Sequence, residues 1–452
     1  MTEESSSSSR PVTLVPATAV VVGNMVGTGV FTTLGYQLVD IQSGFVLMTL
    51  WALGGMCALC GAVCFGELAA ALPRSGGEYH LLSRIYHPAV GFLSGWISVT
   101  VGFAAPVALG AMAFGSYSCG ALGLQGDKWG VLFSTAVVLL VAGIHLRHIG
   151  HGARFQTIFT SLKILIILLL IGFAFLIGEK QEIGFLPRPG DFRIFFSPEF
   201  AVALVFVMYA YTGWNAATYI VDEVREPRKT VPKALLGGTL LVTLLYLALN
   251  GAFLHSTPAE EMAGKVEVAQ VAATHVFGET GGRVMAALIS LGLLSLISAM
   301  TWVGPRVAQR MGEDFRGLRV LARKSRAGTP VNAVILQTAV VLVLVWTSSF
   351  MAILVYIELL LILFGVVTVA GVFWLRIRKP ELPRPVKAWG YPVTPVFFVL
   401  VNCWIVIYLV RVKPWESLWG LATLAAGFAV YLMAQRGWTG GNGGPERSSE
   451  SS

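Results

Sequence analysis

Gly27-Thr28-Gly29 sits in the middle of an apolar run from Val21 to Phe31. Two glycines within three residues weaken a helix by about 1 kcal/mol each relative to alanine. In a lipid bilayer the backbone groups freed in this way must find other partners or line a polar cavity. A half-helix starting after Gly29 turns unpaired N–H groups and a positive dipole end into such a cavity, which suits a carboxylate. The same stretch also fits plain helix packing, because Gly23-x-x-x-Gly27 is a small-xxx-small pattern. Taken alone it leaves both readings open.

A second interruption decides between them. Tyr209-Ala-Tyr-Thr-Gly-Trp-Asn-Ala-Ala-Thr218 places Gly213 inside another apolar segment, beside Thr212 and Asn215, whose side chains can replace lost helix bonds. Interrupted segments at corresponding positions of two halves mark the binding site of many secondary carriers. Carbonyls freed near Tyr209 and Gly213 are acceptors and suit an ammonium. A site with donors from one break and acceptors from the other binds a zwitterion, and an amino acid is the simplest one.

Two ionisable residues are stranded in apolar segments. Lys163 lies about ten residues into its span, or ~15 Å deep at 1.5 Å per residue. That depth strains the reach of a snorkelling lysine, so an inward-facing role is favoured. Its ammonium either holds carbonyls of the broken helices in place of a coupling cation or exchanges a proton. Glu358 lies about two turns inside another span, where a bare carboxylate is costly. It reads as a gate or proton site, or as a structural group facing a water-filled vestibule.

The remaining polar residues carry less. Glu67 ends a span and is expected to pair with basic loop residues; Asp222 and Glu223 are expected to form salt bridges at the inner side. Cys57, Cys60 and Cys64 share a helix face with no His or acid interleaved, which reads as packing. His145, His148 and His151 read as a solvated helix end. No metal and no cofactor is expected.

The elements that must position these residues follow from composition and hydropathy. Of 452 residues, 55% are hydrophobic and 12% charged, with a mean hydropathy of +0.73. Soluble domains carry about 25% charge, so the chain is an all-α integral membrane protein. Windows of about 20 apolar residues predict twelve transmembrane helices. They cover 13–38, 44–70, 88–118, 129–147, 155–178, 197–220, 232–255, 283–306, 330–346, 350–375, 393–411 and 415–434. With the N-terminus inside, most of the 32 Lys and Arg fall in inner loops and tails, as the positive-inside rule requires. Both termini are therefore expected to be cytoplasmic. The net charge of +8 reflects that bias and does not point to nucleic acid. No cleavable signal peptide is expected, and residues 1–12 and 437–452 read as disordered cytoplasmic tails. Loop 256–282 begins Ser256-Thr-Pro-Ala-Glu-Glu, which predicts a short helix over the outer vestibule. The junction from Asp222 to Pro232 predicts an ordered turn, with Thr230 and Pro232 opening the next helix.

Gly27-Thr-Gly-Val-Phe31, Leu72-Pro-Arg-Ser-Gly-Gly-Glu-Tyr79, Tyr211-Thr-Gly-Trp-Asn215 and Glu223-x-x-x-Pro227-x-x-x-x-Pro232 resemble the permeases of the amino acid–polyamine–organocation (APC) superfamily. The Gly-Trp-Asn segment, Phe159-Thr-x-x-Lys163 and Tyr246-x-x-x-Asn250 look most like its L-amino-acid transporter (LAT) branch. The matches run in order from residue 20 to about 310 and weaken beyond. The resemblance implies a LeuT-type fold with two inverted five-helix repeats, 13–178 and 197–375, and two peripheral helices in 393–434. It implies that Gly27, Thr28 and Gly29, with Met25 and Val26 upstream, bind the substrate carboxylate. It places Tyr209 as the aromatic that closes over substrate from outside. Gly213, Trp214 and Asn215, beside Thr212, become substrate contacts, and Tyr246 a further match. It puts Lys163 where sodium-coupled relatives bind sodium, and hence implies sodium independence. Thr28 replaces the commoner serine and Tyr209 the commoner phenylalanine, so specificity does not carry over. Cys119 lies near the loop through which animal relatives bind a glycoprotein partner. It hugs the helix end without flanking prolines, and no disulfide-linked accessory subunit is expected.

The sequence therefore predicts an alternating-access, sodium-independent carrier of neutral L-amino acids in a plasma or bacterial inner membrane. Exchange is favoured over proton-coupled symport of an amino acid or polyamine. A membrane-embedded enzyme would need clustered nucleophile, base or metal ligands at membrane depth, and the polar residues are isolated. A sensor would need a large soluble output domain, which the sequence does not show.

Overall fold

The computed structural model describes residues 12–147, 152–325 and 328–434. His148, His151 and the two tails lie outside the described residues. Those residues are helical, with no strand among them beyond two isolated bridges, Val12 with Val224 and Lys324 with Pro330.

In chain order the helices are α1 (Leu14–Met25), α2 (Gly29–Asp40), α3 (Gly44–Ala71), α4 (Gly77–Ile85), α5 (Pro88–Ile97), α6 (Ala104–Leu122), α7 (Asp127–Arg147) and α8 (Gly152–Ile177). Then follow α9 (Asp191–Ile194), α10 (Pro198–Tyr211), α11 (Pro227–Ser256), α12 (Ala259–Met262), α13 (Val268–Asp314), α14 (Val331–Thr347), α15 (Phe350–Arg378), α16 (Val393–Val412) and α17 (Pro414–Ala434). Among the described residues ten membrane-spanning candidates emerge by length and composition, counting α1–α2 and α5–α6 each as one; α10 and α14 are shorter apolar helices. Helix starts are set locally. Ser43, Ser197 and Ser349 each accept the N–H three residues on, at 3.4, 3.3 and 3.2 Å, the N-cap arrangement that satisfies an orphan donor.

Burial separates a core from a periphery. The most apolar windows of α3, α5–α6, α11, α13 and α15 are 56–67% buried, whereas those of α7, α8, α16 and α17 are only 28–33% buried. On α8 the outward row Leu165, Leu168, Leu169 and Leu176 is exposed, as expected of side chains whose solvent is lipid.

Several elements differ from the sequence expectation for identifiable reasons. The third span is interrupted by a π-helical turn at Ser98–Gly102, with Pro106 in the first turn of the helix that follows. The eighth is much longer than 283–306, and its N-terminal part is bent off at Gly278, whose φ of +75° no other residue type adopts readily. The junction helix α11 starts at Pro227, one turn before the expected position, because Pro suits the first helical position. Thr230 instead donates to Arg225 O at 2.7 Å, and Pro232 lies inside the helix. The short helix predicted in loop 256–282 is α12, though it begins after Pro258 without a side-chain cap. It seals one end of the bundle: Gly264 N–H donates to Gly35 O at 2.8 Å.

Candidate functional site

Both glycine interruptions are breaks in the backbone. Helix α1 ends at Met25 and α2 begins at Gly29, with Val26 at φ −74°, ψ +80° between them. Helix α10 ends at Tyr211, Gly213 has φ +104°, and the chain continues as two short 3₁₀ turns, Ala216–Tyr219 and Val221–Glu223. The expected transmembrane helix over 197–220 is therefore α-helical only as far as Tyr211. A Cβ at Gly213 would lie 2.9 Å from the Asn24 carbonyl carbon. Both its φ and its proximity to α1 therefore exclude a side chain.

The first break is clamped from every side. Tyr246 of α11 places its hydroxyl 2.6 Å from Met25 O and 3.1 Å from Ala210 O, joining the carbonyl ends of both broken helices. Lys163 of α8 donates to Val26 O at 2.9 Å and is 2% exposed. Thr28 and Tyr209 share a hydroxyl–hydroxyl bond of 2.9 Å across the two breaks. Gly29 crosses α10 so closely that a Cβ would lie 2.4 Å from Ala210 Cα, and Gly27 faces Leu296. Met25, Val26, Gly27, Thr28, Gly29, Tyr209 and Tyr246 are all buried.

The second break opens onto a cavity. Thr212, Gly213, Trp214 and Asn215 line it with Glu358 of α15, and Thr212, Gly213 and Asn215 remain partly exposed. Glu358 is 2% exposed and accepts from the Thr212 hydroxyl at 3.1 Å. Trp214 is fixed edge-on to Phe65 at 4.7 Å between ring centres. The cavity does not reach Met25–Gly29, Tyr209, Tyr246 or Lys163. Two clusters of expected site residues therefore meet at the crossing of α1–α2 with α10, and only one faces open space in this conformation.

Among the polar cavity residues that sequence reasoning missed are Asn24, Glu78, Ser94 and Asn402. Asn24 precedes the first break, and Ser94 lies on α5. Glu78 accepts from Asn215 Nδ2 at 3.4 Å, and Asn402 lies on α16. Asn24 and Glu78 sat within or beside recognised motifs and could have been read from them. Ser94 and Asn402 are single polar residues in apolar spans, with no local signal of which face is inward.

The other polar residues fall at the ends of the bundle. Glu67 pairs with Arg376 at 2.6 Å and Arg384 at 3.5 Å, the loop-side pairing expected. Asp222 accepts from Ser75 N–H at 3.3 Å, and Glu223 reaches Arg306 at 3.6 Å. Val12 is hydrogen-bonded to the same junction through Glu223 O and Arg225 N–H, at 3.2 and 2.8 Å. Cys57 and Cys64 are buried and Cys119 half-buried, all with free thiols. His145 Nε2 lies 3.0 Å from Ser298 Oγ, which ties α7 to α13.

Ten helices among the described residues long and apolar enough to cross a membrane, two broken segments that cross, and a cavity beside the crossing form an architecture suited to a membrane transporter. The chain belongs to the amino acid permease family, whose model matches residues 12–430. Its relatives include the mouse "Large neutral amino acids transporter small subunit 2", 27% identical over 94% of this chain and 81% of that protein. The human "b(0,+)-type amino acid transporter 1" is 25% identical over 93% and 87%, and the mouse "Asc-type amino acid transporter 1" is 24% identical over 94% and 81%.

Proposed function

We propose that this chain is a sodium-independent exchanger of neutral L-amino acids working by alternating access. In this reading twelve spans form a LeuT-type fold, with inverted repeats at 13–178 and 197–375 and both termini cytoplasmic. The observation that carries it is the close crossing of two broken helices, where a Cβ on Gly29 would lie 2.4 Å from Ala210 Cα and one on Gly213 would lie 2.9 Å from the Asn24 carbonyl carbon. The N–H groups that open α2 take the substrate carboxylate, and carbonyls at the end of α10 take its ammonium. Lys163 supports sodium independence, since a tethered ammonium already occupies the Val26 carbonyl that a bound cation would need. The conformation is read as closed to the outside. Thr28 and Tyr209 are bonded above the breaks, Tyr36 stacks on Phe206 and Phe350, and the cavity lies toward the face carrying Glu78 and Tyr219. The relatives' names, which describe transporters of amino acids including large neutral ones, point to the same cargo class.

The test is reconstitution of the full chain into liposomes. Labelled L-leucine should enter liposomes preloaded with amino acid and not empty ones. Equal uptake into empty liposomes would overturn exchange.

A further inference from the structure

Glu358 has no cationic partner among the described residues. Thr212 and Tyr209 face it from α10, and Cys57 lies nearby on α3. Helix α4 contributes another acid to the same cavity, Glu78, and α16 contributes the neutral Asn402. Helices α5 and α6 add Ser94 and Pro106, and no Lys, Arg or His among the described residues lines the cavity. The Lys163 ammonium is committed to Val26 O on the closed side. Glu78 differs from Glu358 in being bonded by the Asn215 amide, a two-proton donor, at 3.4 Å.

Proton counting sharpens the contrast. The Thr212 hydroxyl lies 3.1 Å from Glu358 Oε2 and 3.2 Å from Met208 O, which can only accept. A hydroxyl carries one proton, so Thr212 shares a single donor between Glu358 and Met208 O, and no other side-chain hydrogen bond reaches the Glu358 carboxyl among the described residues. A second unmet acceptor lies in the same cavity. The Asn402 amide is oriented by Nδ2, which donates to Phe398 O at 2.8 Å and to Cys57 Sγ at 3.2 Å. Its Oδ1 is left buried without a partner among the described residues. Phe398 and Trp214 stand beside it with ring centres 6.1 Å apart, and aromatic faces favour cations.

We infer that Glu358 is a charge-matching group, and that the cavity accepts amino acids of two charge classes. A neutral L-amino acid is carried with a proton on Glu358. A cationic one, ending in an ammonium or guanidinium, is carried with Glu358 ionised, its side-chain donors directed to Glu358 and Asn402 Oδ1. In both cases the loaded cavity has the same net charge, which a low-dielectric site demands. The proton displaced by a cationic substrate leaves to the water of the cavity. This rests on the carrier reading above.

The test is binding of L-leucine and L-lysine to the purified full-length protein between pH 5.5 and 8.5. Neither ligand changes charge appreciably there, because lysine's side chain titrates near 10.4. Leucine should weaken with rising pH and lysine should tighten, each by about tenfold across the window, as linkage to one proton allows. Glu358→Gln should flatten the leucine profile and lower the lysine-to-leucine affinity ratio by about tenfold. A general loss of folding would lower both affinities and leave the ratio. Asn402→Leu should lower the same ratio by a smaller factor. Parallel pH profiles, or leucine binding without lysine binding, would overturn the inference while leaving the carrier reading intact. Binding of no amino acid at all would overturn both.

Discussion

The two helix breaks have similar sequences and opposite surroundings. At the first, Met25, Val26 and Thr28 are held by Tyr246, Lys163 and Tyr209, and every residue of the stretch is buried. At the second, Thr212, Gly213 and Asn215 are partly exposed and line a cavity whose polar groups are incompletely paired. Glycine makes a break possible, but the groups arriving from α8 and α11 decide whether it is a rigid anchor or an open wall. We read the first as the fixed element against which substrate is held and the second as the element that moves.

The comparison can be broken most severely at Gly29. A side chain there meets the Ala210 backbone, so Gly29→Leu should remove at least about 90% of uptake while the protein still elutes as a monodisperse helical species. Overpacking of this kind costs about 1–3 kcal/mol or more. Full uptake would show that α2 and α10 need not cross closely. Lys163→Met leaves Val26 O without its ammonium, a loss of about 1–3 kcal/mol for a buried acceptor. Uptake should fall about tenfold, and the apparent Tm should drop. Tyr246→Phe removes the one hydroxyl that bridges the Met25 and Ala210 carbonyls. It should cost about 1 kcal/mol, read as a smaller drop in Tm and an uptake reduced about fivefold. Tyr209→Phe opens only the contact to Thr28 and should change apparent affinity by about threefold with Tm nearly constant. Cys119→Ser, which touches neither break nor the cavity lining, should leave uptake within about twofold. A larger loss would point to a covalent partner.

Much of this was readable in the sequence because membrane chains punish irregular backbone. Gly27, Gly29 and Gly213 were legible as breaks since lipid leaves no other use for paired interruptions, and Lys163 was legible because its charge is too deep to snorkel. The partners were not legible. That Lys163 meets Val26 O, or that Tyr246 bridges Met25 and Ala210, depends on helix rotation, and spans apolar on all sides carry no periodic signal of rotation. Asn402 was invisible for the same reason, on a span whose outward positions are as apolar as its inward ones. The 3₁₀ continuation after Asn215 escaped notice because Ala216-Ala-Thr-Tyr219 has no feature that distinguishes it from an α-helical turn.

The central claim is that the open N–H groups of α2 hold a substrate carboxylate between the breaks. Its most direct test is binding of L-leucine and of L-leucine methyl ester to the purified protein at one pH. The account predicts that masking the carboxylate weakens binding by at least about a hundredfold, since one buried charge-assisted hydrogen-bonding group is worth about 1.5–3 kcal/mol per bond. Equal affinity for acid and ester would contradict it.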